Sequence, residues 1–106
     1  MKSDKKYSNK TKKLAEYCKA LAHPARIEIL KTVAKKNRCM CGEVVEVLPL
    51  AQSTVSQHLK ELKKSGLISG EVEGPKSCYC INWKEINQFS KLINEFSEKL
   101  DGYKCC

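Results

Sequence analysis

The clearest pattern of apolar and polar positions runs from Pro49 to Gly66. Apolar residues recur there at intervals of four, three and five, the spacing of one buried face of a helix. Gln52 or Ser53 is expected to cap the start of this helix, and Gly66 is expected to end it. The buried stripe consists of Val55, Leu59, Leu62 and, beyond the last turn, Leu67.

The opposite face of this helix has the chemistry of a DNA-reading surface. Glutamine can bond adenine twice in the major groove, serine and threonine reach bases or phosphates, and lysine attracts phosphates of any sequence. A helical hairpin with a solvated polar face is the structural alternative. The candidate DNA-binding residues on this helix are Gln52, Ser53, Thr54, Ser56, Gln57, His58, Lys60 and Lys64.

The segment before the polar helix completes a helix-turn-helix pattern. Gly42 to Leu48 is rich in valine and leucine, which predicts a short buried helix. Pro49 to Ala51 then supplies a three-residue turn. Helix, short turn and helix is the arrangement in which the second helix enters the major groove.

The segment after the polar helix predicts a β-hairpin. Leu67 to Glu73 and Ser77 to Asn82 flank Gly74-Pro75, with partly alternating apolar residues on either side of the turn. Lys76 lies near the tip and is a further candidate DNA contact. We therefore predict a mainly α fold with a small β-hairpin, which is a winged helix-turn-helix.

Three further helices are predicted, over Lys12 to Leu21, Pro24 to Lys36 and Trp83 to Leu100. Apolar residues of the last helix recur at three, four, three and four, which is a heptad seam. The chain's own first helix, a second copy of the chain, or both can cover this seam. We expect a homodimer that presents two recognition helices to successive major grooves. The seam consists of Ile86, Phe89, Ile93, Phe96 and Leu100.

Length and composition limit the class of protein. The 106 residues, 42% hydrophobic and 30% charged, suit one soluble domain. There is no apolar run of about 18 residues and no signal peptide, so we expect a cytoplasmic protein without a membrane partner. There is no nucleophile-base-acid set, phosphate loop or carboxylate pair, so we expect no enzyme and no required cofactor.

The charge is unevenly distributed. Six lysines and one aspartate give residues 1–13 a charge of +5 out of the total +8, which suits a polyanionic partner. We predict that residues 1–13 are a disordered basic tail, that 14–100 are the winged helix-turn-helix domain, and that 101–106 are a flexible, cysteine-containing end.

Seven cysteines in a cytoplasmic chain indicate reduced thiols for metal binding or redox sensing, and an odd number does not complete a disulfide framework. With these motifs, the chain from Leu14 to Leu100 resembles the ArsR/SmtB family of bacterial winged-helix metalloregulators. The family implies a dimeric repressor that leaves its operator when a toxic or excess metal ion binds, and that controls a resistance operon. The resemblance rests on LAHPARIEIL (21–30), CMCGEVVEVL (39–48), QSTVSQHLKELKKSGLI (52–68) and GEVEGPKSCYCI (70–81).

The resemblance also indicates an inducer. Cys39 and Cys41 match the Cys-x-Cys of members that sense arsenite, cadmium or lead. Thiolates suit soft ions, and trivalent arsenic is well served by three of them. The third cysteine of the arsenic-type pattern is replaced by Val44, so the third ligand must come from elsewhere. As(III) is the expected inducer, with Sb(III), Cd(II) and Pb(II) as alternatives.

The wing supplies the favoured additional ligands. A short strand over Arg38 to Cys41 beside Ser77 to Ile81 would bring four thiols together, since residues two apart on a strand share a face. The pair Cys105 and Cys106 is the next candidate, and Cys18, expected to be a buried structural thiol, is the last. The predicted metal ligands are Cys39, Cys41 and one or both of Cys78 and Cys80.

A switch mechanism follows if Cys39 and Cys41 start a helix. Helical residues two apart do not face each other, so chelation by both thiols would unwind the first turn near Gly42 and tilt the recognition helix. The two histidines are not expected to bind metal. His23 is predicted to be a loop or capping residue, and His58 a phosphate contact.

Two other functions remain open from the residues. The thiols can sense oxidation or persulfide through a disulfide such as Cys39 with Cys80. A protein of another class, a metal-buffering or protein-interaction module, would not bind DNA specifically. Specific two-fold DNA binding separates the repressor from such a module, whose DNA binding would be weak and erased by salt.

Overall fold

The computed structural model describes residues 6–36, 38–41, 50–72 and 77–105. The predicted helix over Gly42 to Leu48, Pro49, the hairpin tip with Lys76, and Cys106 lie outside these residues. The mainly α fold with a small β-hairpin is confirmed. The described elements are the helices α1 (Asn9–Ala20), α2 (Pro24–Lys36), α3 (Gln52–Lys64) and α4 (Trp83–Asp101), and the strands β1 (Met40–Cys41), β2 (Ile68–Glu71) and β3 (Cys78–Ile81).

The start of α1 differs from the prediction. Ser8 caps the helix, because its side-chain oxygen accepts a hydrogen bond of 3.1 Å from the backbone N–H of Thr11. This bond satisfies one of the amide groups that a helix start leaves without a partner. The helix therefore begins at Asn9 instead of Lys12, and residues 9–13 of the predicted tail are helical.

The predicted buried stripe of α3 is confirmed. Its four residues, Val55, Leu59, Leu62 and Leu67, are at most 5% exposed. The predicted caps at the helix start are wrong, since Ala51 occupies the capping position and no side chain caps there. The backbone oxygen of Ala51 instead accepts from the N–H groups of Thr54 and Val55.

The predicted end of α3 at Gly66 is confirmed. Gly66 has a φ of 89°, a left-handed conformation that glycine adopts without steric cost. Its N–H donates to the oxygen of Lys63, and the N–H of Leu67 donates to the oxygen of Leu62. This pair of bonds is a Schellman motif, which turns the chain directly from α3 into β2.

The three strands form one antiparallel sheet in the order β1-β3-β2. The predicted short strand beside the wing is confirmed, with Met40 opposite Tyr79 and Cys41 opposite Cys78. Met40 and Tyr79 are 2% and 1% exposed and face the core. Side chains alternate along a strand, so the cysteines on either side of these residues face away from the core.

Helices α1 and α4 form a layer that packs through a buried tyrosine. Tyr17 is fully buried, its ring meets Phe89 edge-on at 5.5 Å, and its hydroxyl donates to the carboxylate of Glu85. Burial raises the pKa of Tyr17, and Glu85 adds to the shift. The Nζ of Lys13 lies 3.7 Å from Oε1 of Glu85. The chain's own first helix therefore covers part of the predicted seam.

The far half of the seam is uncovered. Leu92, outside the predicted seam, is the buried residue of α4, and Ile86 and Phe89 pack against the core. Phe96 and Leu100 are 48% and 56% exposed. Among the described helices, none combines the length and hydropathy that crossing a membrane requires.

Candidate DNA-reading helix and cysteine site

Most of the predicted DNA-binding side chains lie on the solvent side of α3. Gln52, Ser53, Thr54, Gln57 and Lys64 are exposed, while Ser56, His58 and Lys60 are half-buried. Lys63 is also exposed and was not predicted. Its position was available from the sequence, because Ser56, Lys60 and Lys63 follow one another at four and three residues along the same helical face. The first turns thus offer hydrogen-bonding groups, and the last turn offers positive charge.

His58 is engaged within the protein. The Nε of Arg26 donates to His58 Nδ1 at 3.0 Å, and Arg26 Nη1 donates to the backbone oxygen of Ala20 at 3.2 Å. Burial lowers the pKa of His58, with smaller contributions from Arg26 and His23. His23, predicted to be a loop or capping residue, directly precedes α2, and its backbone oxygen accepts from the N–H of Arg26 and of Ile27. The sequence did not single out Arg26, which links α1, α2 and α3.

The four predicted metal ligands come together on one face of the sheet, and we call this set, Cys39, Cys41, Cys78 and Cys80, the cysteine ladder. The Cα atoms of Cys39 and Cys80 are 4.3 Å apart, and those of Cys41 and Cys78 are 3.9 Å apart. Both cross-strand pairs are joined as disulfides. The bridge between Cys39 and Cys80 is the disulfide that the sequence analysis gave as an example for the oxidation-sensing alternative.

The extended backbone of this segment corrects the predicted unwinding mechanism. Cys41 lies in β1 and not in the first turn of a helix. Alternate residues of an extended segment share a face, so Cys39 and Cys41 are on the same side without any unwinding. A change at the ladder therefore acts first on the pairing of β1 with β3.

The oxidation state of the ladder decides what it can bind. Metal ligation requires thiolates, and a sulfur in a disulfide is not a thiolate. In this bonded form, the part of the chain that the structure describes contains no group of three or more His, Cys, Asp or Glu side chains arranged for a metal ion. Reduction of both bridges, with two electrons and two protons each, yields four thiols on one face.

A cavity of about 200 Å³ adjoins the bridge between Cys39 and Cys80. Its other walls are formed by the side chains of α2, β3 and the start of α4, including the half-exposed Trp83. Arg38 also lines the cavity, and its Nη1 donates to the backbone oxygen of Cys39 at 3.1 Å. An ion or a small oxidant can therefore reach this pair of cysteines.

The alternative ligands lie on other elements. Cys18 is exposed on α1, so the expectation of a buried structural thiol is wrong. The neighbouring Tyr17 takes the inward position at this point of the helix, which turns Cys18 toward solvent. Cys105 is exposed beyond the end of α4, and its partner Cys106 lies outside the described residues.

The chain is similar to known regulatory proteins in sequence and in fold. The family described as "Bacterial regulatory protein, arsR family" matches residues 23–69. The arsenical resistance operon repressor of Bacillus subtilis is 33% identical over 106 residues, which span 97% of this chain and 99% of the relative. An uncharacterized HTH-type transcriptional regulator of Methanocaldococcus jannaschii is 36% identical over 81% of this chain and 97% of its own length. A solved ArsR-like transcriptional regulator from Rhodococcus sp. RHA1 shares the fold, with a TM-score of 0.64, 20% identity, and coverage of 89% of this chain and 88% of that chain.

Proposed function

Because the chain belongs to the arsR family of bacterial regulatory proteins, we propose that it is a cytoplasmic, dimeric repressor that releases its operator when a thiophilic ion binds the cysteine ladder. The observation that carries this proposal is the strand register that gathers four cysteines on one face of the sheet. As(III) is the favoured inducer, with Sb(III), Cd(II) and Pb(II) as alternatives, and a resistance operon is the favoured target. The B. subtilis relative, an arsenical resistance operon repressor, supports this choice.

The proposed operator contact is the solvent side of α3. Exposed Gln52 and Gln57 can bond base edges, while Lys63 and Lys64 supply attraction to phosphates. The exposed side chains of Phe96 and Leu100 form an apolar surface that can pack against the same surface of a second copy. Such a dimer would place one α3 in each half-site of a two-fold operator.

The proposed coupling runs through β3. Residues 42–51 connect β1 to the start of α3, and Gly66 with Leu67 connects the end of α3 to β2. Both β1 and β2 pair with β3, so a change in the β1–β3 spacing reaches α3 from both ends. An ion shifts operator occupancy only by as much as it prefers one of the two arrangements.

Fluorescence anisotropy of a labelled DNA fragment from upstream of the protein's own gene tests the proposal. Reduced protein is expected to bind this fragment and to release it on addition of arsenite. Cys39→Ser and Cys41→Ser should bind equally well but resist release, because each removes one thiolate from the ladder. Cys18→Ser, which changes an exposed cysteine of α1, is the matched control and should respond normally. Release that persists in both ladder variants would contradict the proposed site.

The disulfides favour a second candidate, a repressor controlled by thiol oxidation. Here an oxidant such as peroxide would take two electrons from each cross-strand pair and leave the bridges Cys39–Cys80 and Cys41–Cys78. Release by peroxide in the presence of a metal chelator, with no release by arsenite under reducing conditions, would favour this candidate. Weak DNA binding without sequence preference and erased by salt would contradict both candidates and indicate an interaction module.

A further inference from the structure

The contact between Arg26 and His58 joins α2 to the recognition helix α3. It is 3.0 Å long and part-buried, and it links residues 32 apart in the chain. Arg26 is also held from α1 by its bond to the oxygen of Ala20, so its guanidinium is fixed from two sides. The contact therefore ties the orientation of α3 to that of the two helices before it.

The geometry of this contact fixes the protonation state of His58. The Nε of arginine always carries a hydrogen, so the Nδ1 that accepts from it must carry none. A neutral imidazole has one hydrogen, which is then on Nε2. A second proton on Nδ1 would set two N–H groups against each other and would place a positive ring beside the guanidinium.

The surroundings of His58 keep it neutral near physiological pH. His23, from the turn before α2, approaches with ring centroids 5.8 Å apart. Glu61 lies one turn after His58 on α3. The cleft beside His23 and Arg26 is lined by three further charged residues, Glu16, Lys19 and Lys64. Burial, then Arg26, then His23 lower the pKa of His58 from its ordinary value of 6.5.

We propose that His58 is a positioning residue, which holds α3 against α2 only while it is neutral, so that acidification weakens operator binding. This inference rests on the proposed operator binding by α3. It predicts the opposite sign from a histidine that meets a phosphate directly, because protonation of such a histidine would add a cation at the DNA and strengthen binding.

The sign of the pH dependence is the first test. Operator affinity of the reduced protein is measured by anisotropy from about pH 7.5 down to about pH 4.5 at constant salt, because the pKa of His58 lies below the ordinary histidine value. Affinity should be constant at the upper end and fall with decreasing pH, by up to about tenfold per pH unit for each subunit that must release one proton. Affinity that rises on acidification would overturn the inference.

Two variants separate His58 from other titrating groups. In His58→Asn the amide oxygen can take the place of Nδ1 as acceptor without titrating, so the fall in operator affinity on acidification should be lost. His23→Asn removes the neighbouring ring, whose centroid lies 5.8 Å from that of His58, and should retain the pH dependence. An unchanged pH dependence in His58→Asn would assign it to another group and would overturn the inference.

A measurement on the protein without DNA distinguishes this inference from the proposed function. Nitrogen-15 NMR of the imidazole rings reports which nitrogen carries the hydrogen. For His58 at neutral pH, we expect hydrogen on Nε2 and none on Nδ1, and we expect Arg26→Met to increase the fraction of His58 that carries hydrogen on Nδ1. The opposite tautomer would overturn the inference even if operator binding is found. The expected tautomer without any specific DNA binding would instead place the failure in the proposed function.

Discussion

The proposed recognition helix α3 and the cysteine ladder differ in how the sequence specifies them. The face of α3 is set by residues three and four apart, whereas the ladder joins cysteines that are 41 and 37 residues apart. The first needs only a helix, and the second needs the sheet to form in one register. The two regions are therefore separable by mutation at their surfaces, yet both depend on the core between them.

The largest effect is expected from Leu62→Ala, which should impair α3 and the ladder together. Leu62 is fully buried in the shared core, and the loss of its side chain leaves a cavity that costs about 2–5 kcal/mol of unfolding free energy. Urea denaturation measures this loss, and operator binding and arsenite response should fall together. Ile27→Ala on α2, where Ile27 is 45% exposed, is the control and should cost below about 1 kcal/mol. A similar loss in both variants would contradict the role of the shared core.

The same difference explains which features were predictable from the sequence. The stripe of α3 and its end at Gly66 depend on local spacing and on one glycine, so the sequence was sufficient. The mispredicted features are the starts of two helices, where nearby side-chain and backbone groups compete to accept from the first N–H groups of the helix. Ser8 extends α1 into the predicted tail, and the backbone of Ala51 starts α3 in place of a side-chain cap.

The four cysteines of the candidate site and part of their geometry were predictable from the sequence. The period of a strand was enough to place Cys78 and Cys80 on one face, and the general form of a wing brought β1 beside them. The short strand that contains Cys41 was predicted, but the resemblance also placed Cys39 and Cys41 at a helix start, and this second expectation was wrong. The contact of Arg26 with His58 has no local pattern, since only the packing of α2 on α3 brings the two side chains together.

The next largest effect is expected from removal of a single thiol of the ladder, which should change the arsenite response without changing operator affinity. Cys80→Ser removes the sulfur opposite Cys39 and leaves three thiols in the ladder, so it should raise the arsenite concentration needed for release, while operator affinity of the reduced protein stays within about twofold because α3 is untouched. Anisotropy with and without arsenite measures both quantities. A Cys80→Ser protein that loses operator affinity in the absence of arsenite would show that the ladder also supports α3.

A smaller effect is expected from Gln57→Ala on the exposed face of α3. If Gln57 bonds one base pair, the loss should be about 1–3 kcal/mol for the operator and near zero for unrelated DNA. Competition between the labelled operator and unlabelled DNA of each kind measures this difference. The arsenite concentration needed for release should not change. Equal losses on both DNAs would assign Gln57 to the backbone instead of the bases.

The smallest effect is expected from Lys64→Ala, which tests whether the last turn of α3 meets phosphates. A lysine that neutralises one phosphate releases condensed counterions, so its loss should lower the slope of log affinity against log salt by about 1 per subunit. The decrease in affinity should be similar for operator and unrelated DNA. Lys91→Ala on α4 removes the same charge from an exposed position away from α3 and is the matched control. An equal change of slope in both variants would mean that total charge, and not the position of Lys64, determines the binding.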